Sequence, residues 1–230
     1  MHDLQHNLKK IKTVFFDLDG TLADTAPDLA GALNQLLEEN NQSALPYAQI
    51  RPVVSYGGNA LIKLAFGISE DQPRFAILRE HFLELYQARL HNSTSLFPGI
   101  AEVLNTLETQ NITWGVITNK PAWLTNPLMQ QLGLIGRAAC IICGDSTAYS
   151  KPHPAPMQLA NEITNTQAKT SLYVGDAKRD IEAGQAAGMH TLVALYGYIG
   201  DEDKPNDWHA DGTIQSPLEI IDWISNFNAK

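Results

Sequence analysis

The sequence predicts an α/β protein: a parallel sheet covered by helices on both faces and interrupted once by a long helical insertion. Five short apolar, β-rich runs recur, at residues 13–16, 114–118, 140–143, 171–174 and 191–195. Segments of helical periodicity flank the later runs, as with Val103, Leu104 and Leu107 before the second and Leu128, Met129 and Leu132 after it. Continuous apolar strands alternating with helices are the pattern of a sheet buried on both sides. The third observation is Asp17-Leu18-Asp19-Gly20-Thr21, set directly behind the first run.

That pentapeptide closes a strand in a way that suits chemistry better than packing. Strand side chains alternate faces, so an extended Asp-Leu-Asp directs both carboxylates one way and Leu18 the other. Gly20 lets the backbone turn where a side chain would clash. Two near-parallel carboxylates repel, and a hard cation or a shared proton stabilises the pair. An acidic turn that merely ends a strand is the alternative.

The interval 24–96 is too long for one crossover helix. Thr25-Ala26-Pro27 marks a helix start with Pro in the first turn, and Leu29, Ala32, Leu33, Leu36 and Leu37 supply its apolar face. Ala60, Leu61, Leu64 and Ala65 predict a second helix, and Phe75, Leu78, Phe82, Leu85 and Tyr86 a third. Phe97-Pro98-Gly99 marks the return to the sheet. The expected division is a core of 1–23 and 97–230 with a helical cap at 24–96.

Composition narrows the function. The formal charge of −9 argues against a nucleic-acid surface, which needs a basic patch. No stretch approaches the roughly 18 apolar residues of a membrane helix. Residues 1–12 are polar and lack the apolar stretch of a secretory signal, so they read as a short ordered or frayed leader. Cys140 and Cys143 are the only cysteines. No second ligand pair follows at usable spacing, so they are expected as buried strand residues of a cytoplasmic protein.

In open parallel sheets, ligands bind beyond the carboxyl ends of the strands. Asp17, Thr118 and Asp176 all fall at or just past such ends. Four motifs in order then resemble the haloacid dehalogenase superfamily of phosphatases over nearly the whole chain. They are Asp17–Thr21, Thr118-Asn119-Lys120, Lys151 within Ser150-Lys151-Pro152, and Gly175-Asp176-Ala177-Lys178-Arg179-Asp180. The resemblance implies a Rossmann-like α/β core with a small inserted helical cap. It implies Asp17 as a nucleophile forming an aspartyl phosphate and Asp19 as general acid and base. Thr118, Asn119 and Lys151 would bind phosphate. Asp17, the Asp19 carbonyl and Asp176 would hold Mg²⁺, with Asp180 supporting from behind.

Each residue has a plainer alternative. Lys151, followed by Pro152 and Pro154, could be a solvated loop lysine, Thr118-Asn119 a helix cap, and Asp180 an electrostatic support for a helix N-terminus. Asp24 and Asp28 match the opening helix of the family, with helix capping as their expected role. The family usually carries Ser or Thr where this chain has Ala177. Dehalogenases and phosphonatases lack an acid at the position of Asp19, which leaves phosphatases and phosphomutases.

Within the superfamily, the insertion resembles that of the phosphoglycolate phosphatase family. Arg51 and the loop Ser55-Tyr56-Gly57-Gly58 fall where its cap meets substrate. Arginine there could grip a carboxylate bidentately; a connecting turn with a surface arginine is the alternative. Residues 114–121, 196–199 and 208–211 resemble the N-acetylmuramic acid 6-phosphate phosphatase branch. The expected partner is a small phosphate ester, with no nucleic acid and no membrane. That sugar phosphate is the substrate expected first and 2-phosphoglycolate second. A sugar phosphomutase and a non-catalytic phospho-ligand binder complete the alternatives. Oligomeric state has no signature in the sequence.

Overall fold

The computed structural model describes residues 10–229; most of the expected N-terminal leader lies outside them. The strands are β1 (Thr13–Phe16), β2 (Ala23–Asp24), β3 (Ser95–Leu96), β4 (Thr113–Ile117), β5 (Ile141–Ile142), β6 (Ser171–Gly175), β7 (His190–Ala194) and β8 (Gly212–Ile214). Six of them form one parallel sheet in the order β5-β4-β1-β6-β7-β8. The helices are α1 (Ala26–Glu39), α2 (Tyr47–Ile50), α3 (Gly57–Phe66), α4 (Pro73–Ala88), α5 (Ile100–Thr109), α6 (Ala122–Gln131), α7 (Ala155–Ile163), α8 (Lys178–Ala186) and α9 (Glu219–Asn228).

Alternation along the strands builds a core on each face. Val14 and Phe16, Trp114 and Val116, Leu172 and Val174, and Leu192 and Ala194 cluster with the apolar stripes of α5, α6 and α9. The intervening Phe15, Ile117, Ile142 and Tyr173 point the other way, onto Met157 and Ala160 of α7 and Ala183 of α8. Gly115 holds its place because a side chain there would press on Cys140 Sγ and Phe15. Burial on both faces explains why the runs are continuously apolar rather than alternating.

The five expected runs are all strands. The run at 140–143 shrinks to two residues, with Cys140 and Cys143 flanking them as buried free thiols. Strand β8 has no counterpart among the predicted elements. It is three residues long with only Ile214 buried, too short and too exposed to leave a period.

The helical segment leaves and returns through a two-residue antiparallel pair, Ala23↔Leu96 and Asp24↔Ser95. Helices α1 and α4 pack closely, joined by Leu29, Leu33 and Leu36 with Phe75, Leu78, Phe82 and Tyr86 in one cluster. Helix α3 buries Leu61 and Ile62 rather than the predicted face, and Leu64 stays 37% exposed. A 3₁₀ turn over Arg51–Tyr56 links α2 to α3 and ends at Gly57 with φ of 80°.

Asp24 and Asp28 do not cap helix α1. Asp24 accepts the Tyr198 hydroxyl (2.7 Å). Asp28 accepts from Ser93 N–H and, at 2.8 Å, from both the N–H and the hydroxyl of Thr94. The two carboxylates fasten the strands at the base of the insertion. No helix among the described residues is long and apolar enough to cross a membrane.

Candidate active site

Strand register brings the motifs together. Phe16 lies opposite Val116 on one side and Val174 on the other, so Asp17, Thr118 and Asp176 leave adjacent strand ends. The ladder continues past the strands, with Asp17 N–H on Val174 O and Thr118 N–H on Ile142 O, both at 2.9 Å. Gly20 then turns the chain at φ of +86°, and a side chain there would run into the Asp176 carboxylate. Its glycine identity is therefore required twice, by conformation and by space.

Asp17, Asp176 and Asp180 are 3%, 1% and 0% exposed, and each offers a carboxylate oxygen within 4.8 Å of the others. Burial, then the opposing pulls of Lys151 and Asp180, puts the Asp17 pKa at about 6. Burial together with Asp17 and Asp180 raises that of Asp176 to about 7. Three buried carboxylates this close are the donor set of a hard divalent cation, and Asp180 Oδ1 makes no hydrogen bond of proper geometry. The residues fit Mg²⁺.

Lys151 is the local counter-charge. Its ammonium lies 2.9 Å from Asp17 Oδ1 and 2.7 Å from Asp180 Oδ1, and donates to Ile117 O (2.9 Å) and the Tyr173 hydroxyl (2.8 Å). It is 3% exposed, which overturns the reading as a solvated loop lysine. The Asn119 amide holds Lys151 by its main chain, accepting its N–H (3.0 Å) and donating to its carbonyl (2.9 Å). So the Asn119 side chain acts on Lys151 instead of pointing a free amide at the cavity. Neither Thr118 nor Asn119 caps α6, whose Ala122 N–H goes to Asp145 Oδ1. Asp180 does meet its helix terminus, accepting the Ala177 N–H at 3.0 Å. Ala177 has no side-chain oxygen to complete a reciprocal capping box.

Asp19 faces the cavity with Oδ1 held by the Thr25 hydroxyl (2.6 Å) and the Lys120 ammonium (2.8 Å). Lys120 sits 4.7 Å over the ring of Tyr86 from α4. Burial works against its charge, but Asp19 and then Tyr86 outweigh that and hold its pKa above the ordinary value. Lys120 was visible only as the third residue of a motif.

A cavity of about 400 Å³ opens over these groups. Asp17, Asp19, Thr118, Asn119 and Lys120 line its floor, and Tyr56, Gly57, Gly58, Asn59, Arg79 and Phe82 come from the insertion. Arg51, the residue expected to meet substrate, is turned away. It donates to Tyr196 O (3.2 Å) and lies over the ring of Tyr198 (5.0 Å). Arg79 lines the cavity instead, its Nε donating to Asn59 Oδ1 (2.6 Å). One arginine among several charges on a helix leaves no sequence signal. Arg179, inside the fourth motif, also lines the cavity and donates to Ser55 O (2.6 Å).

The acidic trio has a measurable consequence. Asp17 and Asp176 bind protons more tightly in the folded chain than in the unfolded one. Their contribution to stability is therefore full below the unfolded value of 3.8 and is lost as pH rises through about 6 and 7. The thermal midpoint in chelator is expected to fall between about pH 4 and pH 7. Mg²⁺ should abolish the fall and Asp176→Asn should shrink it, which separates it from histidine titration. A flat midpoint contradicts the electrostatic account.

Adjacent strand ends that present two carboxylates, a buried lysine and an acidic trio suited to a hard cation are the arrangement of a phosphoryl-handling hydrolase. The family model described as haloacid dehalogenase-like hydrolase matches residues 14–194. The chain belongs to that family, and it is a phosphatase. An N-acetylmuramic acid 6-phosphate phosphatase of Pseudomonas putida is 44% identical over 92% of this chain and 95% of its own length. A phosphoglycolate phosphatase of Xanthomonas campestris pv. campestris is 41% identical over 91% and 94%. The crystal structure of a predicted phosphoglycolate phosphatase from Haemophilus somnus 129PT superposes with a TM-score of 0.82. It is 27% identical and covers 93% of this chain and 97% of that one.

Proposed function

We propose that this phosphatase is Mg²⁺-dependent and hydrolyses N-acetylmuramic acid 6-phosphate, with the segment 24–96 acting as its cap. The observation that carries the substrate is the cavity roof. At about 400 Å³ the space lies within the range of sites for extended ligands, so a two-carbon acid would leave much of it to water. Leu83 and the ring of Tyr56 offer apolar surface for acetyl and lactyl methyl groups, and Arg79 offers a donor fork for the lactyl carboxylate. The relative from Pseudomonas putida is named for this substrate.

The chain's own groups divide the work. Asp17 Oδ1 is occupied by the Leu18 N–H (2.8 Å) and Lys151, which leaves Oδ2 to attack phosphorus. The phosphorus–oxygen bond to the sugar breaks as the aspartyl phosphate forms, and protonated Asp19 gives its proton to the leaving oxygen. Asp19 then takes a proton from water, whose oxygen attacks phosphorus and releases Asp17 and inorganic phosphate. The Thr118 hydroxyl and the Lys151 ammonium stabilise charge on the phosphoryl oxygens. Asp17, Asp176 and the Asp19 carbonyl would hold Mg²⁺, with Asp180 behind them; when bound it supplies Lewis-acid neutralisation of that charge.

Comparison of kcat/KM for N-acetylmuramic acid 6-phosphate and 2-phosphoglycolate tests the assignment, and a preference for phosphoglycolate rejects it. Recovery of an isomeric sugar phosphate instead of inorganic phosphate would identify a mutase, and no turnover at all a binding protein. Arg79→Ala is expected to raise KM for the muramic ester about 10- to 100-fold, the loss of one charge-assisted contact. Turnover of the corresponding N-acetylglucosamine ester, which has no carboxylate, should stay unchanged. Equal losses on both esters would remove Arg79 from carboxylate recognition.

A further inference from the structure

We infer that Ser55 makes cation binding and closure of the cap one event. Its hydroxyl donates to Asp176 Oδ2 at 2.9 Å, a direct bond from the helical insertion to a carboxylate of the acidic trio. The same Oδ2 accepts the Tyr198 N–H at 2.8 Å from the core. One oxygen of Asp176 is thereby anchored by two donors on separate parts of the chain, while Oδ1 keeps only a long contact of 3.4 Å with Thr21. Fixing one oxygen orients the other toward a cation, the role that outer hydrogen bonds play around metal-binding carboxylates.

The surroundings leave Asp176 little room to find that orientation unaided. A side chain at Gly20 or at Gly197 would collide with it, so it already fills the space between two backbones. What Ser55 adds is dependence on the insertion. The turn that carries it is held to the core by three further bonds: Arg179 to Ser55 O, Tyr56 OH to Asp203 Oδ1 (2.9 Å), and Arg51 to Tyr196 O. Tyr56, Gly57 and Gly58, next in the chain, line the substrate cavity. Lifting the turn breaks the Ser55–Asp176 bond, and with it part of what orients the carboxylate. By linkage, a cation that binds better to the closed form must favour closure by the same factor. Ser55 is thus a positioning residue whose partner is the cation site, and the cap loop reports its occupancy.

The test uses Mn²⁺ as the probe, with binding followed by electron paramagnetic resonance and amide exchange measured over residues 51–58. Ser55→Ala is expected to weaken Mn²⁺ binding about 10-fold or more. Ser55→Thr, which keeps the hydroxyl, should restore it to within a few-fold. In the unsubstituted protein Mn²⁺ should slow exchange over 51–58, and in Ser55→Ala it should not. Wild-type affinity in Ser55→Ala overturns the proposal, as does exchange that ignores Mn²⁺ in the unsubstituted protein. The inference rests on Asp176 as a cation ligand: failure of the unsubstituted protein to bind Mn²⁺ rejects that assignment too, whereas normal binding with an unaffected variant rejects the coupling alone.

Discussion

Asp17→Asn is expected to reduce kcat by about 10⁴-fold or more while leaving the protein folded. The amide keeps the shape of the carboxylate but has no lone pair reactive enough to form an acyl phosphate. The fold should tolerate the change because Asp17 is destabilising where it stands. It is buried beside Asp176 and Asp180, and its pKa is pushed up to about 6. Removing one charge leaves Lys151 paired with Asp180 at 2.7 Å, so no buried ion is orphaned. The thermal midpoint in chelator at neutral pH should hold or rise. Single-turnover assays and a melting curve suffice: residual turnover near wild type rejects Asp17 as nucleophile.

Lys151→Ala should do the opposite and damage both fold and function. The ammonium is fully enclosed and faces two buried carboxylates, Asp17 and Asp180. Deleting it removes the cation in direct contact with them and leaves only the more distant Arg179 guanidinium in a poorly solvated place, a loss of about 3–5 kcal/mol. For a chain of this size that corresponds to a fall in Tm of about 10 °C. Tyr173 is not orphaned, because its hydroxyl also donates to Ile117 O at 2.7 Å. The penalty therefore tracks the carboxylates, and it should ease in the double variant Lys151→Ala/Asp180→Asn. Activity should fall in the single variant and not return in the double, since the phosphoryl group has lost its buried cation in both. A single variant that melts like the wild type would mean that Lys151 is not the counter-charge.

Much of this architecture was legible because the sheet is buried on both faces. Residues 13–16 are apolar without interruption since Val14 and Phe16 meet one layer of helices while Phe15 meets the other. Three of the four core motifs were legible for a related reason: Asp17, Thr118 and Asp176 sit where an apolar run stops. The insertion resisted reading because its contacts depend on how helices roll against one another. Leu61 and Ile62 are buried where Leu61 and Leu64 were expected. A small rotation of that kind also decides which arginine enters the cavity. Arg51 and Arg79 are equally cationic in sequence, and only packing sends the first onto Tyr198 and the second to the cavity with Asn59. Asn119 shows a different limit. Its position was predicted, but its amide serves the main chain of a residue 32 positions away.

The little ladder of Ala23 with Leu96 and Asp24 with Ser95 bears on the order in which this chain can assemble. Strand β1 must find β4, pairing Thr13 with Thr113 across the whole insertion. Closing a flexible loop costs more conformational entropy the longer the loop is. Once α1 and α4 have met and the ladder has zipped, the path from β1 to β4 no longer runs through the insertion but steps across its base. The search for the central strand pair then becomes a short-range one, and the segment that roofs the cavity also shortens the route to the sheet beneath it.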